Sequence, residues 1–548
     1  MASSTTTSTD PSHLAFTSLP DRPILTVCSK CRGEGKLVQA PSRKARKRYK
    51  QSSNDAKKNK NLPPPRIDGC KPCGGSGLVV AATDDEITTN NTSNNNNNYP
   101  HVGIVGGGLG GLALAVACRH RGIPFTVYER DANFFERSQG YGLTMQQASR
   151  ALKALGIPVP LQDGIVSTKH MVHKPDGTVV GEWGLRKWIG NNKKQEQNDK
   201  KKNNSNNNKR QNVHIARQAL RYELLQALGG PTQVQWGHRL VEFSEQEDRV
   251  DLTIEVANND NTHSEKAKPT IKQTSASLLV GADGIRSSVR RQGLGEEQSP
   301  LRYLGCIVIL GICPLTHNQV QDLQSPLLDG ETVFQTADGS TRIYMMPYSQ
   351  KEYMWQLSFP MDEQAAMALS QRGPQALKDE SLKMCHAWHT PIIPILKQTP
   401  ATLVSGYPVY DRDVLTKQHL TTTLSSSSSR LRRVTLLGDA AHPMSPFKGQ
   451  GANQALLDAL FLARTIFKDF NNNDNNKNTT QHETTLSNDT SLDCEAAILE
   501  KLLETYETEM LERSSVKVEA SAKAAHFLHT NVAIQEGNVT RGAAANSK

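Results

Sequence analysis

Residues 101–131 read HVGIVGGGLGGLALAVACRHRGIPFTVYERD, and the parts of a nucleotide-binding βαβ unit stand there in order. A short apolar strand, Val102 to Val105, runs into Gly106, Gly108 and Gly111. Leu109, Leu112, Ala113, Val116 and Ala117 then recur at helical spacing, and a second strand, Phe125 to Tyr128, ends at Glu129. In such a unit the first glycine allows the tight turn and the second lets a pyrophosphate approach the backbone. The third lets helix and strand pack closely. Glu129 lies 18 residues past Gly111, with Arg130 beside it, where an acid accepts from a ribose hydroxyl. An acid there favours an unphosphorylated ribose, as in FAD or NAD. The fold class is α/β with a Rossmann-like sheet.

Two later segments have matching physics. Leu278 to Gln292, LLVGADGIRSSVRRQ, is an apolar strand ending at Gly281-Ala282-Asp283-Gly284, with Ser287 and Arg290 following at helical spacing. Alone it reads as an Asp-Gly turn capping a helix. Gly438 to Leu460, GDAAHPMSPFKGQGANQALLDAL, follows the strand Val434 to Leu437. Its loop holds Pro443 and Pro446, and Gly449-Gln450-Gly451 opens an amphipathic helix. That arrangement sets one carboxylate, Asp439, and a row of free N–H groups beside a bound anion or polar ring.

Together the three motifs resemble those of the single-component FAD-dependent aromatic hydroxylases, the salicylate and para-hydroxybenzoate hydroxylase class. The resemblance runs over residues 101–470, plus a helical tail to about residue 530. It implies a discontinuous FAD-binding domain (100–300 and 430–470), an inserted antiparallel substrate sheet (301–429) and C-terminal helices (495–530). It also implies roles. Gly106, Gly108 and Gly111 would take the pyrophosphate and Glu129 the adenosine ribose. Asp283 would lie near the pyrophosphate and the passing nicotinamide, and Asp439 at the ribityl chain. Arg217, in HIARQALRYELLQAL, matches an arginine that opens a helix and contacts FAD; the alternative is a surface arginine on an amphipathic helix. Pro446, Gly449, Gln450, Gly451 and Ala452 would lie against the flavin ring, where helix-start N–H groups favour the anionic reduced form.

Other residues near these motifs read more plainly. His442 reads as a packed loop residue, and Asp411-Arg412-Asp413 as an ion-paired corner. The chain departs from the family at Lys448, where many relatives carry a small or apolar residue. It departs again at Gln146-Gln147, in place of a frequent Pro-Asn pair. Lys448 reads as solvent-facing, with attraction of an acidic substrate or NADPH as the alternative.

Composition fits an enzyme diluted by polar insertions. The hydrophobic fraction is 36%, and runs near 90–98, 191–212, 258–272, 421–429 and 471–494 are rich in Asn, Ser, Thr or Lys. Such tracts bury too little apolar surface to order themselves, and they read as loop expansions, as do residues 1–24 and the linker 81–99. The net charge of +10 is local: residues 43–60 carry +8 and 193–210 carry +5, leaving 10 − 13 = −3 for the rest. A nucleic-acid function is therefore not implied. The basic run 43–60 reads as a solvated linker or as a nuclear address, with the cytoplasm as default. The longest apolar run, Cys306 to Leu315, is too short to span a membrane and reads as a buried strand.

Cysteines divide the chain. Cys118, Cys306, Cys313, Cys385 and Cys494 are scattered and read as buried thiols. Cys28-Ser-Lys-Cys31 and Cys70-Lys-Pro-Cys73 are paired and each is followed by a Gly-x-Gly. Two such knuckles suit a tetrahedral thiolate site for zinc, with a redox dithiol or free thiols as alternatives. The repeated CxxCxGxG resembles half of the zinc module of DnaJ-type co-chaperones and implies a small zinc-ribbon-like unit over residues 25–80. That unit is expected to be separable, offering a surface to a protein partner.

By resemblance, NADPH or NADH reduces FAD, dioxygen adds at the 4a carbon, and the hydroperoxide passes one oxygen to a small aromatic or conjugated molecule. Two other readings stand beside it. One is a reductase or halogenase on the same scaffold, the latter without a WxWxIP-type mark. The other is a zinc-module adaptor with a non-catalytic flavin domain. Among Tyr344, Met346, Trp355 and Trp388, sequence does not separate substrate contacts from sheet core.

Overall fold

The protein is seen here as a computed structural model that describes residues 22–44, 65–81, 99–136, 141–146, 148–158, 164–184, 212–257, 269–349, 351–423, 432–477 and 488–546. Most of the basic run 43–60, the run 193–210, the linker 82–98, Gln147 and the first 21 residues lie outside them.

Five parallel strands form the central sheet in the order Val234–Trp236, Phe125–Glu129, Val102–Val105, Leu278–Gly281, Val434–Leu436. The inner strands VGIV and LLVG are buried at every position, as strands covered on both faces must be. Ile104 faces Gly111 of the helix Leu109–Arg119, whereas Gly103 faces Leu252 and Ala276. The helix therefore covers one face. An antiparallel meander, His238–Glu245, Val250–Val256 and Thr270–Ala276, covers the other. Thr270 to Lys272, part of the polar run 258–272, belong to this meander and pair with Ile254 to Val256. Ladder pairing overrides their polar composition.

A seven-stranded sheet stands opposite, in the order Val179–Trp183, Lys169–His173, Thr332–Ala337, Arg342–Ser349, Glu352–Pro360, Leu301–Pro314, Val404–Arg412. Two features differ from the expected antiparallel sheet within 301–429. Its first two strands come from 169–183, and Lys169–His173 runs parallel to Thr332–Ala337. Those segments, KHMVH and VVGEW, are short and mixed in polarity, so they carried no clear strand signal. Leu301–Pro314 contains most of the long apolar run as a buried strand between Glu352–Pro360 and Val404–Arg412.

Alternation divides the two faces of this sheet. Trp355, Leu357 and Met345 pack with Leu377 and Ile395 from the covering helices and with Trp388 from the connection between them. Tyr344, Met346, Met354 and Gln356 face a cavity on the other side.

A single helix, Asn488–Phe527, replaces the several expected over 495–530. Together with Gly451–Lys477 it takes in both ends of the polar run 471–494. The chain then returns to the large sheet, where the Gly537 N–H donates to Val180 O at 2.9 Å and the Glu182 N–H to Asn538 Oδ1 at 3.0 Å.

In the N-terminal module Leu25–Val27 pairs with Leu78–Val80, and Lys36–Gln39 with Arg66–Gly69. It is docked, not detached. The His120 ring lies 3.1 Å from the carbonyls of both Leu25 and Leu155. Arg464 Nη2 donates to Gly33 O at 2.9 Å and Lys153 Nζ to Gly74 O at 2.7 Å, while Arg22 pairs with Glu223 at 2.6 Å. Among the described residues no helix is long and apolar enough to cross a membrane.

Candidate active site

The three glycines of the first turn separate by role. At Gly106, φ is +112° and a Cβ would overlap the Ala282 carbonyl. At Gly111 a Cβ would overlap the Gly106 carbonyl, so helix and turn meet only through hydrogen. At Gly108 a Cβ would find no protein atom within 4 Å, because this residue faces the cavity.

Glu129 is buried at the cavity wall beside Arg130. Its Oε2 accepts from the Gly107 N–H at 2.6 Å and its Oε1 from the Asp131 N–H at 3.0 Å. Arg221 was not singled out in sequence, yet its Nε donates to Gly107 O at 2.9 Å and its guanidinium lies 4.9 Å from the Phe134 ring. Its position one helical turn after Arg217 was the available signal.

The second and third motifs converge on the same cavity. Asp283 caps a helix with one oxygen: Oδ2 accepts from the Ser288 and Val289 N–H groups at 2.6 and 3.3 Å. Its other oxygen, Oδ1, is buried without a partner at the cavity wall, and burial raises the carboxyl above its ordinary pKa. Arg290, fully buried, donates from Nη1 to the carbonyls of Ala440 and Ala441 at 2.9 Å, tying the second motif to the third. Asp439 looks into the cavity close to Gly451. Burial raises its pKa, with His442 and Arg217 acting in the opposite sense. Arg217 starts its helix, lines the cavity and lies 5.5 Å from the Tyr141 ring.

The Gly449–Gly451 turn is stitched from behind by Asn453. Its Nδ2 donates to Thr144 O and Gly449 O at 2.9 Å, and its Oδ1 accepts from the Gln146 and Ala148 N–H groups. Gln450 Nε2 donates to Gln146 Oε1 at 2.6 Å. Pro446, Gly449, Gln450, Gly451 and Ala452 all line the cavity. His442 is packed, as read: its Nε2 lies 2.7 Å from Asp458, which also receives Arg513 at 2.7 Å and the Gly438 N–H at 2.8 Å.

Lys448 does not point to solvent. It lies half-buried over the Phe527 ring at 5.5 Å, and burial, then Lys517, lowers its pKa. The corner 411–413 is ion-paired: Arg302 reaches Asp411 at 2.9 Å and Asp413 at 2.6 Å. Of the four aromatic and methionine residues left unsorted by sequence, Tyr344 and Met346 line the cavity, and Trp355 and Trp388 pack behind the sheet. The cavity is about 1470 Å³ and runs from the first glycine turn past Asp439 to the sheet face.

At the far side of the dinucleotide helix the four paired cysteines meet. Their sulfurs lie within 4.8 Å of one another, Cys28 to Cys70 at 3.9 Å and Cys31 to Cys73 at 3.7 Å. The Gly35 N–H donates to Cys31 Sγ at 3.3 Å and the Gly77 N–H to Cys73 Sγ at 3.2 Å. Cys118, Cys306, Cys313 and Cys385 are buried singly, and Cys494 is partly exposed.

The family model described as FAD binding domain matches residues 99–402 and 410–482. The chain belongs to that family. Among relatives of this flavoprotein, aurachin C monooxygenase/isomerase of Stigmatella aurantiaca is 28% identical over 369 residues, 66% of this chain and 79% of that one. The FAD-dependent monooxygenase thnD of Trichoderma harzianum is 25% identical over 390 residues, 67% and 82% of the two chains. The fold is shared with HpxO of Klebsiella pneumoniae complexed with FAD and uric acid (TM-score 0.56, 19% identity, 78% and 88% covered). It is also shared with 2,6-dihydroxypyridine-3-hydroxylase of Arthrobacter nicotinovorans (TM-score 0.56, 17% identity, 81% and 94% covered). This flavoprotein is an FAD-dependent monooxygenase.

The residues present suit FAD. The turn is open only at Gly108, Glu129 is already oriented by backbone donors, and the orphaned Asp283 Oδ1 and Asp439 both look into one cavity.

Proposed function

We propose that this flavoprotein inserts one oxygen atom of O₂ into a small aromatic or conjugated molecule held between Gly451 and the sheet face carrying Tyr344. The balance is substrate-H + O₂ + NAD(P)H + H⁺ → substrate-OH + NAD(P)⁺ + H₂O, or the epoxide where a double bond reacts. The observation that carries this reading is the continuity of the cavity from the glycine turn to the apolar sheet face. Bound FAD supplies electron transfer from the nicotinamide and the activation of oxygen.

The chain's own residues would bind, orient and exclude water. Gly106, Gly108 and Gly111 would receive the pyrophosphate. Glu129 would accept from the ribose, with Arg130 beside it and Arg221 bracing the loop through Gly107. Asp283, Arg217 and Asp439 would hold the middle of the cofactor. The Pro446–Gly451 turn and Ala452 would face the ring, their N–H groups stabilising negative charge there. Met346, Met354 and Tyr344 would keep the reacting end dry.

The test is FAD retention and coupled oxygen uptake. Glu129→Ala removes a charged acceptor and strands two buried N–H groups, a loss of roughly 1.5–3 kcal/mol. FAD affinity should fall on the order of 10- to 150-fold. Unchanged retention in this variant would falsify the assignment.

We also propose that Cys28, Cys31, Cys70 and Cys73 hold one structural zinc ion. A tetrahedron with Zn–S near 2.3 Å has sulfurs about 3.8 Å apart, which the 3.7 and 3.9 Å pairs match. The Gly35 and Gly77 N–H groups supply the sulfur-directed bonds that thiolates accept. Elemental analysis should find one zinc per chain, lost on Cys28→Ser with Cys70→Ser.

A further inference from the structure

Behind the dinucleotide helix, two guanidinium groups meet the four-cysteine module with N–H groups to spare. Arg121 lies just past the end of the helix Leu109–Arg119 and is 4% exposed. Its Nη1 donates to Ala117 O at 2.9 Å, while its Nε and Nη2 have no partner. A Cβ on Gly33 would meet that Nη2 at 3.3 Å, so the guanidinium abuts the turn that follows Cys31. Arg464, on the helix Gly451–Lys477, reaches the same turn. Its Nη2 donates to Gly33 O at 2.9 Å, and its Nε is buried without a partner.

The two charges are poorly answered by the protein alone. Arg464 is close enough to oppose the charge of Arg121. Burial, then Arg464, lowers Arg121 to about 10, so it stays cationic at neutral pH. Among the described residues neither arginine forms an ion pair. The half-buried Glu34 of the module favours both charges from a distance, and the Cys31 sulfur favours that of Arg464. Four neutral thiols would leave this imbalance standing. Metal binding takes the cysteines as thiolates, and Zn²⁺ with four of them carries 2 − 4 = −2. A buried guanidinium is costly alone and stable beside a fixed anion.

We propose that Arg121 and Arg464 are the counter-charges of the zinc tetrathiolate, so that metal loading latches the module onto the back of the dinucleotide helix. The proposal rests on the zinc reading of Cys28, Cys31, Cys70 and Cys73 and names what that site does in this chain. Both arginines are positioning residues, acting on the metal by charge and not by ligation. The coupling is reciprocal: whatever they add to zinc affinity, zinc adds to docking. Two elements of the flavin domain are thereby tied to the metal, the helix capped by Gly108 and the helix begun by Gly451.

The experiment uses the full-length flavoprotein, as isolated and after zinc removal by chelator, in the wild type, Arg121→Met, Arg464→Met and Arg121→Lys. Zinc content is read by elemental analysis, zinc affinity by competition with a chromogenic chelator, and melting temperature in both metal states. Each Met variant should bind zinc roughly 10- to 100-fold more weakly, the scale of a lost partner around metal ligands. Arg121→Lys should recover part of that loss. Zinc should raise the wild-type melting temperature, and the rise should shrink in Arg121→Met. The zinc-free variant should melt no lower than zinc-free wild type, because an unpaired buried cation has gone. An arginine that only packs would lower both metal states equally and leave zinc affinity alone; either result overturns the counter-charge role. FAD content should match the wild type in every variant, since the glycine turn is untouched. If the wild type carries one zinc and both Met variants bind it as tightly, the latch fails alone. If the wild type carries none, the zinc reading fails first and the latch with it.

Discussion

Gly108 and Gly111 are three residues apart and carry opposite burdens. At Gly108 an added methyl points into empty cavity, and at Gly111 it overlaps the Gly106 carbonyl. Gly108→Ala should leave apoprotein stability within about 0.5 kcal/mol while sharply weakening FAD binding. Gly111→Ala should lower stability by about 1–3 kcal/mol through overpacking, with FAD loss following from the distorted turn. Urea melts of the apoprotein beside FAD titrations separate the two; equal melts and equal affinities would refute the division of roles. Asp458 gives a pH signature. Burial alone would raise its pKa, but His442 and Arg513 hold it below the usual range. A depressed carboxyl pKa contributes stability that is full above about pH 4 and is lost as pH falls through the folded value. Melting temperature recorded between pH 6 and pH 2 should drop more steeply in the wild type than in Asp458→Asn.

The helix Gly451–Lys477 shows what one element end can do. Gln450 accepts the first intrahelical bond, from Gln454, so Gly451 is the first helical residue, where proline is tolerated. Gly451→Pro therefore removes one cavity-facing N–H without breaking the helix. FAD should be retained, while NADPH turnover slows and less product forms per oxygen consumed. Normal coupled turnover would mean that this helix start does not face the reacting ring.

Elements of this kind were legible in sequence because glycine spacing and apolar periodicity are local. The strand–Gly-x-Gly–helix order, the buried run from Cys306 and the helix start at Gly449-Gln450-Gly451 all follow from neighbours in the chain, whereas the bonds that stitch that turn to Thr144 and Gln146 do not. The strands at 169–183 were not legible: their partners, such as Thr332–Ala337, lie far along the sequence, and their composition is mixed. Arg221 escaped for the same reason, since its partner Gly107 lies 114 residues away and a buried arginine looks like any other until its surroundings are assembled.

At the scale of the molecule, the N-terminal module reads differently in sequence and in structure. Sequence presents it as separable, behind an Asn-rich linker. The structure packs it against His120, Arg121, Lys153, Gly156 and Arg464. Arg121 is buried with its Nη2 unpartnered, and Glu34 of the module is among the groups that favour its charge. A chain beginning at Tyr99 should still bind FAD, because the glycine turn is at the opposite end of the helix. It should melt several degrees lower, since Gly156 and Arg121 lose their cover. The same shift should follow zinc removal by chelator from the full chain. An unchanged melting temperature in both cases would restore the reading of an independent appendage.

The order of strands in the parallel sheet has a further consequence, for the protein as it is made. Val102–Val105 pairs with Leu278–Gly281, which in turn pairs with Val434–Leu436, and the helix starting at Gly451 comes later still. At roughly 5–20 residues per second on the ribosome, the first wall of the seat waits on the order of tens of seconds for the last. During that interval the nascent chain exposes apolar strands and has no complete place for its coenzyme. Loading with flavin is thereby deferred until the helix beginning at Gly451 has been made.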